Sequence, residues 1–377
     1  RSGRFKYPDR LTGKEAAVAG SSVWKYIAKT FGESVILDML EVAYMSRNID
    51  DSFIYVLGHK QSEILEGWRK YFNSYFTIDN TIKTNNDSIV FYRKIKKNSV
   101  VTSTRISNDK KHIAWVENCY GKQVIYIYDV QERKIVKTIK TGKKIPDITD
   151  LSYPLIAWHP DNEWLLFSDE NKGRILLRYY PLPSGRKEQK YLEFFTKLCS
   201  IDISPDGRKI LMTAIKNGYK DLFIFNNVSN TIEQLSNDGF DESEARWFPD
   251  GNSFVFSSNR TNDSLFTKSK PNFSSLNNNH DLFLYHPVSA TKSCLRLSNS
   301  PQIDERYPVP VSNKSLTFLS DENGVKNIFL GQVDSAITHV DTLVHYRYLL
   351  RKYPLTNYNN SVLVNDVHSS GMAVEIF

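Results

Sequence analysis

The chain is poor in the residues that carry chemistry. Three cysteines stand in 377 residues, Cys119, Cys199 and Cys294, an odd number with no Cys-x-x-Cys or Cys/His spacing. They read as free thiols rather than a zinc site, and they suit oxidising and reducing compartments alike. Among eight histidines, no two lie one helical turn apart around a glutamate, the arrangement a zinc hydrolase needs. There is no Gly-rich phosphate loop and no Gly-x-Ser-x-Gly elbow; Gly20-Ser21-Ser22 lacks the flanking glycine and falls in a helical stretch. Asp169-Glu170-Asn171-Lys172-Gly173 and Asp321-Glu322-Asn323-Gly324 lack alternating oxygen ligands and a distal glutamate, so they read as tight turns rather than calcium loops. No run approaches the roughly 18 apolar residues that cross a bilayer. These absences exclude a self-contained active site: no catalytic residue, metal ligand or cofactor is expected. The chain starts at Arg1 without Met or an apolar signal region, which reads as a fragment or a processed chain.

What the sequence does contain is repetition. Ser204-Pro205-Asp206-Gly207 leads into Ile210-Leu211-Met212, Phe248-Pro249-Asp250-Gly251 into Phe254-Val255-Phe256, and His159-Pro160-Asp161-Asn162 into Leu165-Leu166-Phe167. Degenerate copies stand at Ser107-Asn108-Asp109 and Ser312-Asn313-Lys314, so the equivalent positions 109, 161, 206, 250 and 313 are spaced by 52, 45, 44 and 63 residues. In such a turn Pro presets φ, Asp accepts from backbone amides and Gly takes the φ > 0 corner. The run that follows is apolar throughout, as expected of a strand buried on both faces. Trp158 and Trp247 precede the turn at the same place and are expected to pack between repeats, each worth about 3–5 kcal/mol if truncated. A period near 45 with several short strands per unit predicts a mainly β protein, a β-propeller.

The ends of units also match: Gln234-Leu235-Ser236-Asn237 with Asp241-Glu242, Arg296-Leu297-Ser298-Asn299 with Asp304-Glu305, and Tyr353-Pro354-Leu355-Thr356-Asn357. The runs 361–364 and 372–377 read as the first two strands of a further unit, with 88–92 and 99–102 supplying its outer strands. Five complete units and one closed by both chain ends predict six blades over residues 77–377. Residues 1–76 read instead as a small all-α domain, with apolar stripes at helical spacing over 14–30, 33–47 and 61–72. The net charge of +7 comes from clusters such as Arg93-Lys94-Ile95-Lys96-Lys97 and Lys110-Lys111, which are scattered over several repeats and interrupted by acidic stretches. They read as solvated turns, and nucleic acid is not an expected partner.

The repeat Ser204-Pro205-Asp206-Gly207-Arg208-Lys209-Ile210, followed by a Leu222-Phe223-Ile224-Phe225 strand and a Gln234-Leu235-Ser236 strand end, resembles the WD-type repeat of TolB-like propellers. Asp281 to Tyr285 supplies the same middle strand in the next unit. The resemblance implies a periplasmic or outer-membrane-associated propeller that docks partner proteins at the bacterial cell envelope. The α/β domain that precedes the propeller in TolB has no recognisable counterpart here. A second resemblance lies upstream: 19–28 with Phe31-Gly32, Leu57-Gly58, and Glu66-Gly67-Trp68-Arg69-Lys70-Tyr71-Phe72 are similar to the helical tail of gluzincin peptidase domains. It implies a His-Glu-x-x-His zinc helix upstream of this segment, which this chain does not contain.

In a propeller the first strand of each blade lines the axis, so residues just before the turn are the candidate partner-binding set: Arg105, Asp202, Glu244, Arg246, Glu305 and Arg306. Mixed charge there suits a peptide or protein tail, whose amides and termini need donors and acceptors. The sequence therefore predicts a non-catalytic scaffold that binds a protein or peptide partner at the cell envelope. The alternative is an accessory propeller of a larger zinc-peptidase-like protein.

Overall fold

The computed structural model describes residues 12–76, 99–142, 152–171, 173–182, 185–265, 279–287, 293–340, 344–358 and 360–376. The chain divides into two units, Arg1–Lys83 and Thr84–Phe377.

The first unit carries four helices: α1 (Gly13–Phe31), α2 (Val35–Ser46), α3 (Ile49–Leu57) and α4 (Gln61–Phe76). Gly32 ends α1 at φ 101°, its N–H donating to Ala28 O. The sequence reading missed α3, although its signals are present. Asn48 caps it through the Asp50 N–H, Asp50 and Asp51 fill the first turn, and Gly58 closes it at φ 70°. Ile27, Met39, Phe53, Leu57 and Ile64 form the core of this unit. Gly67 has a steric reason: a Cβ there would sit 2.2 Å from the Tyr26 hydroxyl. No helix among the described residues is long and apolar enough to cross a membrane.

The second unit is built from five four-stranded antiparallel sheets, each a meander in chain order. The first holds β1 (Val100–Ile106), β2 (His112–Cys119), β3 (Lys122–Asp129) and β4 (Lys134–Thr141). The second holds β5 (Ile156–Trp158), β6 (Trp164–Asn171), β7 (Arg174–Pro181) and β8 (Glu188–Leu192). The third holds β9 (Lys197–Ile203), β10 (Lys209–Lys216), β11 (Tyr219–Asn226) and β12 (Ile232–Gln234). The fourth holds β13 (Glu242–Trp247), β14 (Phe254–Ser258), β15 (Asp281–Tyr285) and β16 (Leu295–Arg296). The fifth holds β17 (Glu305–Ser312), β18 (Ser315–Ser320), β19 (Asn327–Val340) and β20 (Val344–Pro354). First strands touch first strands from β1 through β5, β9 and β13 to β17, so they form the inner ring of a propeller.

Five blades, not the expected six, make up this ring. Among the described residues the C-terminal strands β21 (Val364–Val367) and β22 (Ala373–Ile376) pair only with each other, and β21 lies between β17 and β1. Residues 100–102, expected to lend an outer strand to a shared blade, begin β1 instead, where Val100 faces Asn118 and Val101 faces Glu117 of β2. A strand cannot be the inner member of one blade and the outer member of another. The expected strand at 88–92 lies outside the described residues.

The repeated turn is built as its residues dictate. Gly207 and Gly251 take φ 74° and 69°, and Asn162 and Lys110 occupy the same corner at 63° and 64° in the degenerate copies. In each, the corner N–H donates three residues back: Gly207 to Ser204 O, Gly251 to Phe248 O, Asn162 to His159 O and Lys110 to Ser107 O. The turn aspartate then accepts from an amide two residues on, as Asp206 does from Arg208 N at 3.0 Å. The apolar runs beyond the turns, including Ile210–Met212 and Phe254–Phe256, are fully buried. Trp158 packs with Ala114 and Val116 of the first blade, and Trp247 with Leu211 and Leu222 of the third. Both tryptophans therefore sit between blades.

Candidate axial site

The turn geometry fixes which inner-strand residues share a level on the axis. Two residues before the turn's first carbonyl stand Arg105 on β1, Ala157 on β5, Asp202 on β9 and Arg246 on β13. The turn after β21 makes the same bond, Gly371 N–H to His368 O, and so puts Asp366 at this level too. The level thus carries two arginines and two aspartates.

Arg246 ties it together. Its guanidinium reaches Asp202 on the neighbouring blade at 3.3 Å and Asp366 on β21 at 2.5 Å. Each aspartate also accepts from an inner-strand amide: Asp202 from Trp247 N at 2.9 Å and Asp366 from Ile106 N at 2.7 Å. Burial works against the charge of Arg246, but Asp366 and Asp202 outweigh it and hold its pKa above the usual arginine value. Burial pushes Asp202 up, against the pull of Arg246 and Arg105. Arg105 differs. Its guanidinium makes one hydrogen bond among the described residues, from Nη1 to Thr104 O at 2.9 Å, and its buried Nε has no acceptor among them. Burial and the neighbouring Arg246, opposed by Asp366 and Asp202, bring its pKa down to about 10.

A second level is set by β-bulges in β13 and β17, where pairing slips between Ser243 and Arg246 and between Arg306 and Val309. Glu244 and Tyr307 occupy the bulges at φ 50° and 52°, a conformation that non-glycine residues adopt at a cost. The Glu244 carboxylate accepts from Ser257 Oγ and lies 3.5 Å from Arg306 Nη1. Arg306 also contacts Asp304 at 3.0 Å and His280 Nδ1 at 2.8 Å. Burial pushes Asp304 up, but His280, Lys326 and Arg306 outweigh it and hold the carboxyl well below the usual range. Tyr307 is pushed up to about 12 by burial and the charge of Glu244.

Of the six residues read from the sequence, Arg105, Asp202 and Arg246 meet at the first level, and Glu244 and Arg306 at the second. Glu305 is not brought to either. It is fully buried and pairs with Lys352 of β20. The sequence reading missed Asp366, Tyr307, His280 and Lys326. The signal for Asp366 was its place two residues before His368-Ser369-Ser370-Gly371, a turn copy with neither Pro nor Asp.

A further charged cluster lies off the axis. Asp221, Asp238 and Glu242 bring carboxylate oxygens within 4.8 Å of one another, which is metal-holding geometry. Arg260 already occupies the cation position, at 2.6 Å from Glu242 and 3.1 Å from Asp238. A cleft of about 340 Å³ lies at the rim between Lys140 and Thr141 of the first blade and Arg178, Tyr180 and Lys187 of the second. Its Arg178 is paired with Asp169 at 2.7 Å.

No protein-family model matches the sequence, and no curated protein does. The chain is similar in structure to TolB-like β-propellers. TolB from Acinetobacter baumannii is 13% identical with a TM-score of 0.46, the match covering 63% of this chain and 53% of that one. A protein assigned as TolB from Agrobacterium tumefaciens is 15% identical with a TM-score of 0.47, covering 74% and 89%. A prolyl endopeptidase is 12% identical with a TM-score of 0.43, covering 74% and 42%. The chain thus spans about half the length of the Acinetobacter protein. The propeller rests on the blade topology described above rather than on these likenesses.

Proposed function

We propose that the propeller is a non-catalytic scaffold that binds a protein or peptide partner at its axis. The observation that carries this reading is the concentration of opposite charges at two levels of the inner ring. Arg105, Asp202, Arg246 and Asp366 form one level, and Glu244, Arg306, Asp304 and His280 the other. Extended peptide backbone and its ends require donors and acceptors together, and strand-borne side chains present both on a rigid frame. A site in the bacterial cell envelope, periplasmic or outer-membrane-associated, is supported by the resemblance of the Ser-Pro-Asp-Gly repeat to TolB-like propellers.

The test is binding of a labelled hexapeptide pool, read by fluorescence anisotropy. Arg306→Glu is expected to weaken binding about tenfold, as loss of one charge-assisted contact does. Glu132→Lys, on an exposed turn of the rim, is expected to leave it unchanged. The reverse pattern overturns the axial reading.

A second reading has its own observation. Helices α2 and α3 leave Leu37, Tyr44, Met45 and Tyr55 between 67% and 86% exposed. Apolar side chains so placed suit a helical tail that packs on a larger body, such as the zinc-peptidase-like domain implied by the gluzincin resemblance. Zinc-dependent proteolysis by the native gene product, abolished by chelation, supports this reading; its absence from the native gene product rejects it.

A further inference from the structure

We infer that Arg105 is the seat of a carboxylate belonging to the axial ligand. This deepens the proposed function and rests on it for the identity of the ligand as a peptide. The inference starts from how charge is shared at the first axial level. Both aspartates are committed: Asp366 to Arg246 at 2.5 Å and Ile106 N at 2.7 Å, and Asp202 to Arg246 at 3.3 Å and Trp247 N at 2.9 Å. Arg246 therefore takes both anions as hydrogen-bonded partners, while Arg105 feels their attraction but hydrogen-bonds to neither.

Arg105 is held by one neutral carbonyl, that of Thr104, and its Nε finds no acceptor. A guanidinium in a largely dry site normally has an anion against it, because burying an unpaired charge costs several kcal/mol. Every other buried arginine discussed above has one: Arg246 has two aspartates, Arg260 has Asp238 and Glu242, and Arg306 has Asp304 and Glu244. Arg105 is also partly exposed, so a ligand can reach it. Tyr307 lies within its electrostatic reach. A carboxylate is the group that fits, since it is planar, anionic and present on every peptide as a C-terminus or as an Asp or Glu side chain.

The experiment uses the whole chain and follows the Arg105 Nε–H resonance by NMR, assigned by its disappearance in Arg105→Gln. Three probes are titrated: N-acetylglycine for a terminal carboxylate, N-acetylaspartic acid α-amide for a side-chain carboxylate, and N-acetylglycinamide as the neutral control. A saturable shift is expected with at least one acid, at about tenfold or more lower concentration than any effect of the amide, and the responding acid identifies the source. Equal response to all three, or no saturable shift, overturns the inference. The hexapeptide pool is then measured in acid and amidated forms on wild type and Arg105→Gln. Acid preference in wild type that vanishes in the variant is expected. Binding without acid preference overturns the carboxylate seat and leaves the peptide scaffold standing. A saturable Arg105 shift with no pool binding does the opposite.

Discussion

Two clusters of buried charge sit in the same blades, and they are put together differently. Between the third and fourth blades, Asp221, Asp238 and Glu242 surround Arg260. Ser236 Oγ joins Glu242 at 2.8 Å, accepts from Leu222 N at 2.9 Å and lies 3.3 Å from Asp221. Arg260 has two carboxylates, the Ser264 carbonyl at 2.7 Å and the faces of Phe240 and Phe283. The plan recurs at the next junction with Asp281, Ser298, Glu305 and Lys352, where Ser298 Oγ accepts from Leu282 N at 2.9 Å. It recurs without charge at the following one, where Thr356 Oγ1 accepts from Ile328 N at 2.9 Å and donates to Asn327 at 3.0 Å. A pattern that survives replacement of its charges by neutral groups is closing backbone amides, so its role is structural. The axial ring has no such self-sufficiency, because Arg105, one of the two arginines at its first level, hydrogen-bonds to neither aspartate there. Buried charge therefore marks a site only where the protein itself leaves the account unbalanced.

The largest effect separates the clusters most sharply. At about pH 9, where Glu242 is ionised, Arg260→Met leaves Asp238 and Glu242 buried without their cation and is expected to cost about 3–5 kcal/mol in denaturant unfolding. A loss below about 1 kcal/mol would mean that these acids are neutral and that Arg260 is packing rather than pairing. Next comes Asp366→Ala, which strips Arg246 of its nearer partner and leaves Ile106 N without an acceptor. Its expected cost is about 2–3 kcal/mol, less than for Arg260 because Asp202 still holds Arg246. Unchanged stability there would detach β21 from the axial ring.

The junction cluster also carries a pH dependence of its own. Burial and the charge of Asp238, opposed by Arg260, push Glu242 up from 4.5 to about 8. A carboxyl raised on folding binds its proton more tightly in the folded state. Its stabilising contribution is therefore full below about pH 4.5 and is lost as pH rises through 8, with a slope of at most about 1.4 kcal/mol per pH unit. Glu242→Gln, which keeps the shape and cannot ionise, is expected to flatten the unfolding free energy across that window. A profile that falls as steeply in the variant assigns the dependence to another group.

The fold was more legible than the site, for a physical reason. Propeller blades repeat because each turn must satisfy the same φ values and the same three-residue hydrogen bond, and that demand writes Pro-Asp-Gly into the chain. Asn162 and Lys110 meet it with weaker residues and were still readable from spacing. Closure failed as an inference because strand patterning does not state which edge a strand offers. Residues 100–102 read equally well as inner or outer strand, and only their register against Asn118 and Glu117 distinguishes the two. Distance to the turn picked out Arg105, Asp202 and Arg246, which share one level. The same rule misled at Glu305, because the bulge in β17 inserts residues between it and its turn and turns it into the junction with Lys352. Asp366 was hidden by a turn that keeps only the glycine.

The smallest expected effect is the one that bears most directly on the axis. If Arg105 were a structural ion like Arg260, replacing it by Gln would cost several kcal/mol, since Asp202 and Asp366 would lose a balancing cation. The geometry argues otherwise: both aspartates are held by Arg246 and by backbone amides, and among the described residues the Arg105 guanidinium gives only one hydrogen bond, to Thr104 O. Arg105→Gln keeps a donor for that carbonyl and removes a charge that burial and Arg246 disfavour by more than Asp366 and Asp202 favour it. Its expected effect on unfolding free energy is within about 0.5 kcal/mol of zero, the range of substitutions that break no buried network. Measured beside Arg260→Met in the same denaturant series, this near-neutral result would set a retained but unpaired arginine apart from a paired one. A loss of 2 kcal/mol or more would instead make Arg105 part of the frame, and the two clusters would then be one kind of structure.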